Sequence, residues 1–352
     1  MLTIFYGSFI REYILSEQHN LLTPGFDLTL RPMKYPQFYD AFVAAQQNNW
    51  SVQEISFNTD LTDLREKLTP GESHIVSRLV AFFATGDTIV GNNAALTLYK
   101  HVNSPEARLY YSRQIFEEAL HVQFYLTLLD NYVPDHEERK AMFDAVNNIP
   151  SVKAKADWTF KWMDQMNSID ILETDEQRKI FLTNLLAFTM GVEGLFFFAA
   201  FAYVYYLRDR GLLHGLASGT NWVFRDESWH MRFGFSVVET IRKELPHLWD
   251  ADMEQRIRDM VEEAIACEMQ FAEDVLSVGA IGLSLKDMKE YLRFVADGHF
   301  RRLGMEPVYN AICPFDFMLK QDVQALTSFF ERTVAEYTVG IGGEVDLDVD
   351  DF

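Results

Sequence analysis

The chain has 352 residues, 48% of them hydrophobic and 14% aromatic, enough for one large helical domain or two smaller ones with a sizeable core. Its formal net charge of -21 excludes the basic stripe that a nucleic-acid surface needs and disfavours adsorption to acidic lipid. Two cysteines, Cys267 and Cys313, make no disulfide framework and point to a reducing cytoplasm.

The first 36 residues carry turn signals at Pro24-Gly25 and prolines at 32 and 36, and read as an irregular surface arm. No basic stretch followed by a clean apolar run marks a signal peptide. Phe38 to Asn48 predicts a short helix, with Trp50 in the loop after it. Thr69-Pro70-Gly71-Glu72 opens a helix that runs to about Tyr99. Ile75, Leu79, Phe82, Phe83, Ile89 and Val90 recur along it at helical spacing, with Asp87 among them. Ser104-Pro105-Glu106 starts the next helix, to about Asn131. Pro134-Asp135 and Pro150-Ser151 open two more, the second rich in tryptophan.

Thr174-Asp175 begins a long helical stretch to about Arg210, in which Gly191 and Gly194 flank Glu193. Glycine costs a helix interior about 1 kcal/mol, so two beside an acid predict local distortion or a place where bulk is kept out. The apolar run Leu195 to Leu207 falls short of the ~20 residues of a membrane span and reads as a buried helix. Gly219-Thr220 leads into a helix ending near Pro246, followed by helices over 252–278 and 285–303. Strand signals are few, so the fold class is all-α. Past Tyr337, glycines and then acids alternating with aliphatics read as a mobile tail. The expected organisation is an arm over 1–36, a helical domain over 37–337 and an acidic tail over 338–352.

Two segments carry the chemistry. Glu118 and His121 form a Glu-x-x-His pair, and Tyr125 follows one turn later on the same helix face. A second pair, Glu227 and His230, lies in Arg225-Asp226-Glu227-Ser228-Trp229-His230. Each pair is preceded by an acid in an apolar helix: Asp87 lies 31 residues before Glu118, and Glu193 lies 34 before Glu227. One such pair is common on solvated helix faces. Two, each with an acid too costly to bury unpaired, make the ligand set of a dinuclear carboxylate site in a helix bundle. Oxygen-rich ligation with two imidazoles suits iron or manganese and fits O2 chemistry. A metal centre that reacts with O2 can oxidise a phenol placed as Tyr125 is. Phe197, Phe201 and Val223 are positioned to wall it off, or are ordinary core. Asp226, beside Glu227, is set to accept the second ring N–H of a ligand histidine. Gln114 is either a donor to a ligand carboxylate or a packing amide.

Taken together, these segments resemble the small, radical-generating subunit of class I ribonucleotide reductase. The likeness runs from about Trp50 to Phe352. It includes Phe-Phe-Ala-Thr-Gly-Asp-Thr-Ile-Val-Gly-Asn around Asp87, Glu-Glu-Ala-Leu-His-x-x-x-Tyr at 117–125, Glu193, and Arg-Asp-Glu-x-x-His at 225–230. Phe-Phe-Glu at 329–331, Tyr337 and the terminal Asp-Val-Asp-Asp-Phe complete it. The resemblance implies a ferritin-like bundle and a homodimer. It implies Asp87, Glu118, His121, Glu193, Glu227 and His230 as ligands to two iron or two manganese ions activated by O2. It implies a radical on Tyr125, relay residues at Trp50, Asp226 and Tyr337, and a tail that docks on the large subunit. A storage cage or a related di-metal oxidase would share the ligands but not the tyrosine-bearing tail. No Walker-type phosphate loop and no close cysteine pair is present, which places the nucleotide site on the partner chain.

Overall fold

A computed structural model describes residues 19–93 and 97–320, with the side chains of 85–92 outside the description. Residues 19–35 run without helix, but Leu21 and Leu22 are fully buried, so the arm is pinned at its end. The helices of eight residues or more are α1 Pro36–Ala45, α2 Asn58–Glu66, α3 Pro70–Asn93, α4 Pro105–Tyr132 and α5 His136–Phe143. They continue as α6 Pro150–Met163, α7 Asp175–Asp209, α8 His214–Glu244, α9 Ala251–Val275 and α10 Leu285–Arg302. No strand occurs among the described residues.

Local signals set most of these boundaries. Ser104 Oγ accepts the Ala107 N–H at the start of α4, and Pro105 stands where no N–H is needed. Thr174 and Gln177 form a reciprocal capping box at the start of α7. Asp135 and Ser284 cap α5 and α10 by accepting the N–H groups of Glu138 and Asp287.

Two elements depart from the sequence reading. Helix α2 was not expected, and α8 starts at His214, five residues before the anticipated Gly219. Both have one cause. Asp60 and Asp63 of α2 are buried and reach the start of α8 from far along the chain. Asp60 accepts the N–H groups of Gly215 and Leu216 at 2.8 Å each, and Asp63 accepts that of Leu213 at 3.0 Å. Leu213 is left-handed, with φ 52°, a conformation that a leucine keeps only when its surroundings hold it. Gly219 lies inside α8 because a Cβ there would stand 2.3 Å from the Phe124 ring.

The stretch Asp175–Asp209 is long and apolar enough to cross a membrane by length and composition, but its apolar window is wholly buried in the fold. It is the central helix of the core. Between Ala187 and Phe197 it widens to a π-helix, the distortion that the two glycines predicted. A Cβ on Gly191 would stand 2.1 Å from Trp158 of α6, and one on Gly194 would stand 2.5 Å from His299 of α10. The glycines therefore let α6 and α10 close on the widened segment that carries Glu193. Behind it, Lys155 of α6 pairs with Glu268 of α9 at 2.7 Å, both buried, with the ammonium over the rings of Phe82 and Phe271.

Candidate metal centre

Helices α4, α7 and α8 bring their acids and histidines to one point. Glu118, Glu193, Glu227 and His230 each offer a ligand atom within 4.8 Å of the others, all four buried. His121 joins them, its Nδ1 3.4 Å from Glu118 and 3.3 Å from Glu227. His230 Nδ1 stands 3.2 Å from Glu118, 3.5 Å from Glu193 and 3.3 Å from Glu227. Asp87 lies on α3, and its side chain is outside the description. Tyr337 and the tail are outside the described residues.

The donor atoms fit a pair of cations. Both oxygens of Glu118, one each of Glu193 and Glu227, and Nδ1 of His121 are buried without a well-formed hydrogen bond among the described residues. Three carboxylates crowded away from water repel one another and need positive charge nearby. In the protein alone the two histidines supply it. Burial alone would push His121 and His230 down. Instead Asp226, Glu118 and Glu227 hold His121 well above its usual range, and Glu117 with the same cluster does so for His230. Burial would raise Glu118, but the two imidazoles outweigh it and hold it at about 2. Burial pushes Glu193 well up, and Glu227 and Glu118 add to the rise. Bound cations would take over the role of those ring protons.

The outer contacts fix which nitrogen faces the cluster. His121 Nε2 lies 3.4 Å from Asp226 Oδ2, and His230 Nε2 donates to Glu117 Oε2 at 2.9 Å. Each ring so spends Nε2–H outward and turns Nδ1 inward, leaving Nδ1 as the nitrogen that can ligate a metal. The two acids cross over: each follows the pattern acid-Glu-x-x-His, and each serves the histidine of the other motif. Glu117 escaped the sequence reading, although its place directly before Glu118 repeats that of Asp226 before Glu227. Gln114 Nε2 donates to Glu193 Oε1 at 2.8 Å, which decides between its two readings.

Trp50 Nε1–H donates to Asp226 Oδ2 at 2.7 Å, so a buried indole, a carboxylate and a cluster histidine form one line. Tyr125 is buried one turn beyond His121. Phe83 lies face to face with its ring, centroids 4.4 Å apart and planes 5° apart. Phe197 packs on the Phe83 side at 6.4 Å from that ring and on Phe201 at 6.0 Å, and Val223 is fully buried. Phe83 was legible only as a core position. That it covers Tyr125 depends on α3 packing against α4.

Long helices that bury a Glu/His cluster on two Glu-x-x-His motifs define a ferritin-like helical protein with a site able to hold metal. The family model for the ribonucleotide reductase small chain matches residues 27–314. The ribonucleoside-diphosphate reductase small chain of Encephalitozoon cuniculi is 36% identical over 341 residues, covering 95% of this chain and 98% of that one. The ribonucleotide reductase R2 subunit from Clostridium botulinum superposes with a TM-score of 0.78 at 19% identity, covering 87% of this chain and 94% of that one. The ribonucleotide reductase Rnr4 homodimer from Saccharomyces cerevisiae gives 0.72 at 25% identity, covering 90% and 92%. The chain belongs to the ribonucleotide reductase small-chain family. It is the small subunit of a ribonucleoside-diphosphate reductase, and a radical generated at a metal centre is typical of that family.

Proposed function

We propose that Asp87, Glu118, His121, Glu193, Glu227 and His230 hold two iron ions, with two manganese ions as the alternative, and that Tyr125 stores the radical. The buried convergence of Glu118, Glu193, Glu227 and His230 within 4.8 Å carries this reading. A donor set of carboxylates and imidazoles without thiolate favours iron or manganese. Bound there, the metal pair with O2 would supply an oxidising equivalent, and Tyr125 is the phenol placed to give up one electron and its proton. Phe83, Phe197 and Phe201 keep water and reductants from that ring. Asp226 orients His121 and fixes the indole of Trp50. Trp50, Asp226 and, on the C-terminal side, Tyr337 relay the equivalent toward the large subunit.

We propose the same division for the whole chain: an arm over 1–36, a helical domain over 37–337 and a tail over 338–352. The tail docks on the large subunit through its acid–aliphatic alternation and terminal Phe352. The chain pairs as a homodimer, a reading supported by Phe116 and Leu126 exposed on α4 and by the similar yeast protein, solved as a homodimer. Neither Cys267, which is buried, nor Cys313, whose Sγ–H donates to the Phe315 carbonyl at 3.5 Å, is in a disulfide among the described residues, which supports a cytoplasmic setting for deoxyribonucleotide supply to DNA replication.

The test is nucleotide reduction by the metal-loaded protein with its large subunit, for wild type, Trp50→Phe and a chain ending at Val339. Trp50→Phe is expected to keep metals and radical and to lose turnover. The shortened chain is expected to lose binding to the large subunit as well. Wild-type turnover in Trp50→Phe would remove Trp50 from the path.

A further inference from the structure

A second line of contacts leaves the cluster, and the relay does not use it. It starts at His230, whose Nε2–H donates to Glu117 Oε2 at 2.9 Å. Glu117 Oε1 accepts from Arg113 Nε at 2.8 Å. The other two nitrogens of the Arg113 fork leave α4 altogether. Nη1 donates to Asn49 Oδ1 at 3.0 Å, and Nη2 to the Asn48 carbonyl at 3.4 Å, an acceptor it shares with Arg225 Nη2 at 2.9 Å. Asn48 and Asn49 stand directly before Trp50 in the connection between α1 and the short turn Val52–Glu54. Two lines, one from each cluster histidine, therefore end on three consecutive residues: His121 through Asp226 on Trp50, and His230 through Glu117 and Arg113 on Asn48 and Asn49.

We propose that Arg113 is a positioning residue for Trp50, locking the turn ahead of the indole to His230 so that the bond to Asp226 holds only while both Glu-x-x-His motifs are in place. The proposal rests on the relay reading of Trp50 and adds the device that keeps the relay in register. The connection has no ladder of its own, and irregular segments of this kind open readily unless side chains tie them down. A rigid guanidinium fork holds its donors in fixed, separate directions and so bonds a carboxylate, an amide and a carbonyl at once. A lysine is a point charge on a flexible stem. It can stay beside Glu117 but cannot also hold Asn49 and Asn48. Glu117 is buried, so the fork also keeps a carboxylate paired that would otherwise have only His230.

That difference separates positioning from charge. Full-length metal-loaded wild type, Arg113→Lys, Arg113→Gln and Asn49→Ala are compared by hydrogen exchange of the segment 46–55. The same proteins, labelled with 5-fluorotryptophan, report the Trp50 resonance, assigned with Trp50→Phe. Arg113→Lys is expected to keep its metals and its EPR radical yield within twofold, to exchange the segment at least tenfold faster, to shift or broaden the Trp50 resonance, and to lose nucleotide reduction at least tenfold. Asn49→Ala, at an exposed position that cannot unfold the chain, is expected to speed exchange in the same segment by a smaller factor. Unchanged exchange and an unchanged Trp50 resonance in both Arg113→Lys and Asn49→Ala overturn the proposal, even if Arg113→Gln fails to fold. Normal turnover in Trp50→Phe removes the relay reading instead, and the exchange result still decides whether Arg113 anchors the turn.

Discussion

The Trp50 indole donates its N–H to Asp226 across 2.7 Å, joining residues 176 positions apart. The same carboxylate oxygen faces His121 Nε2, and the other accepts from Arg225 at 3.3 Å. All neighbours are donors, and only a carboxylate accepts from every one. Asp226→Asn turns an amide NH2 toward one of them. The expected outcome is a loss of about 1–3 kcal/mol in urea unfolding and a fall of about 10–100-fold in metal affinity by titration. Wild-type affinity would show that Asp226 does not orient His121.

The crowding of acids sets opposite expectations for stability and metal binding. Burial and the neighbouring acids already hold the metal-free Glu193 carboxyl toward its neutral form, and Glu193→Gln makes that form permanent while leaving an oxygen to accept from Gln114. Metal-free Glu193→Gln should be as stable as wild type or more so, by up to about 1 kcal/mol, because like charges in a dry site repel. Metal analysis should find at least one of two ions lost, as also for Glu227→Ala. Two tightly held ions in Glu227→Ala would contradict the ligand assignment.

Gly191 makes a steric prediction. A Cβ there meets Trp158 at 2.1 Å, so Gly191→Ala must push α6 away from the π segment. Overpacking of this kind costs about 1–3 kcal/mol, against a helix-propensity gain of about 1 kcal/mol. Chemical unfolding should show net destabilisation, and a stabilised variant would mean that the contact is slack.

His299 gives the fold an acid-sensitive point. Burial lowers its pKa from 6.5 to about 4, although its Nε2–H donates to the Gly194 carbonyl at 3.2 Å. The unfolded chain therefore takes up a proton near pH 6.5 that the folded chain refuses until about pH 4. The stabilisation is complete above pH 6.5 and is lost as pH falls through that window. It amounts to roughly 3 kcal/mol at about 1.4 kcal/mol per pH decade. His299→Gln can still donate to Gly194, so its stability should fall less steeply than wild type between pH 6.5 and 4. Parallel curves would place the acid sensitivity elsewhere.

What could be read from the sequence was what local spacing determines. Ser104, Thr174 and Asp135 announce helices because their side chains bond N–H groups three residues on. Glu118 with His121, and Glu227 with His230, were legible because a helix turns every 3.6 residues. The start of α8 was not, because Asp60 caps it across 155 positions. Phe83 over Tyr125 and Glu117 on His230 depend on how α3, α4 and α8 pack, which no local pattern states. Glu117 had left a trace, the acid repeated before both glutamates, but its partner is in the opposite motif.

The most direct test of the account is EPR on full-length protein loaded with Fe(II) without oxygen and then exposed to O2, wild type beside Tyr125→Phe, with iron counted in both. The account predicts a tyrosyl signal in wild type and none in the variant. Two irons per chain and O2 uptake should be retained, and stability should change by no more than about 1 kcal/mol for the lost hydroxyl. An unchanged tyrosyl signal in Tyr125→Phe would put the radical on another tyrosine and contradict the account at its centre.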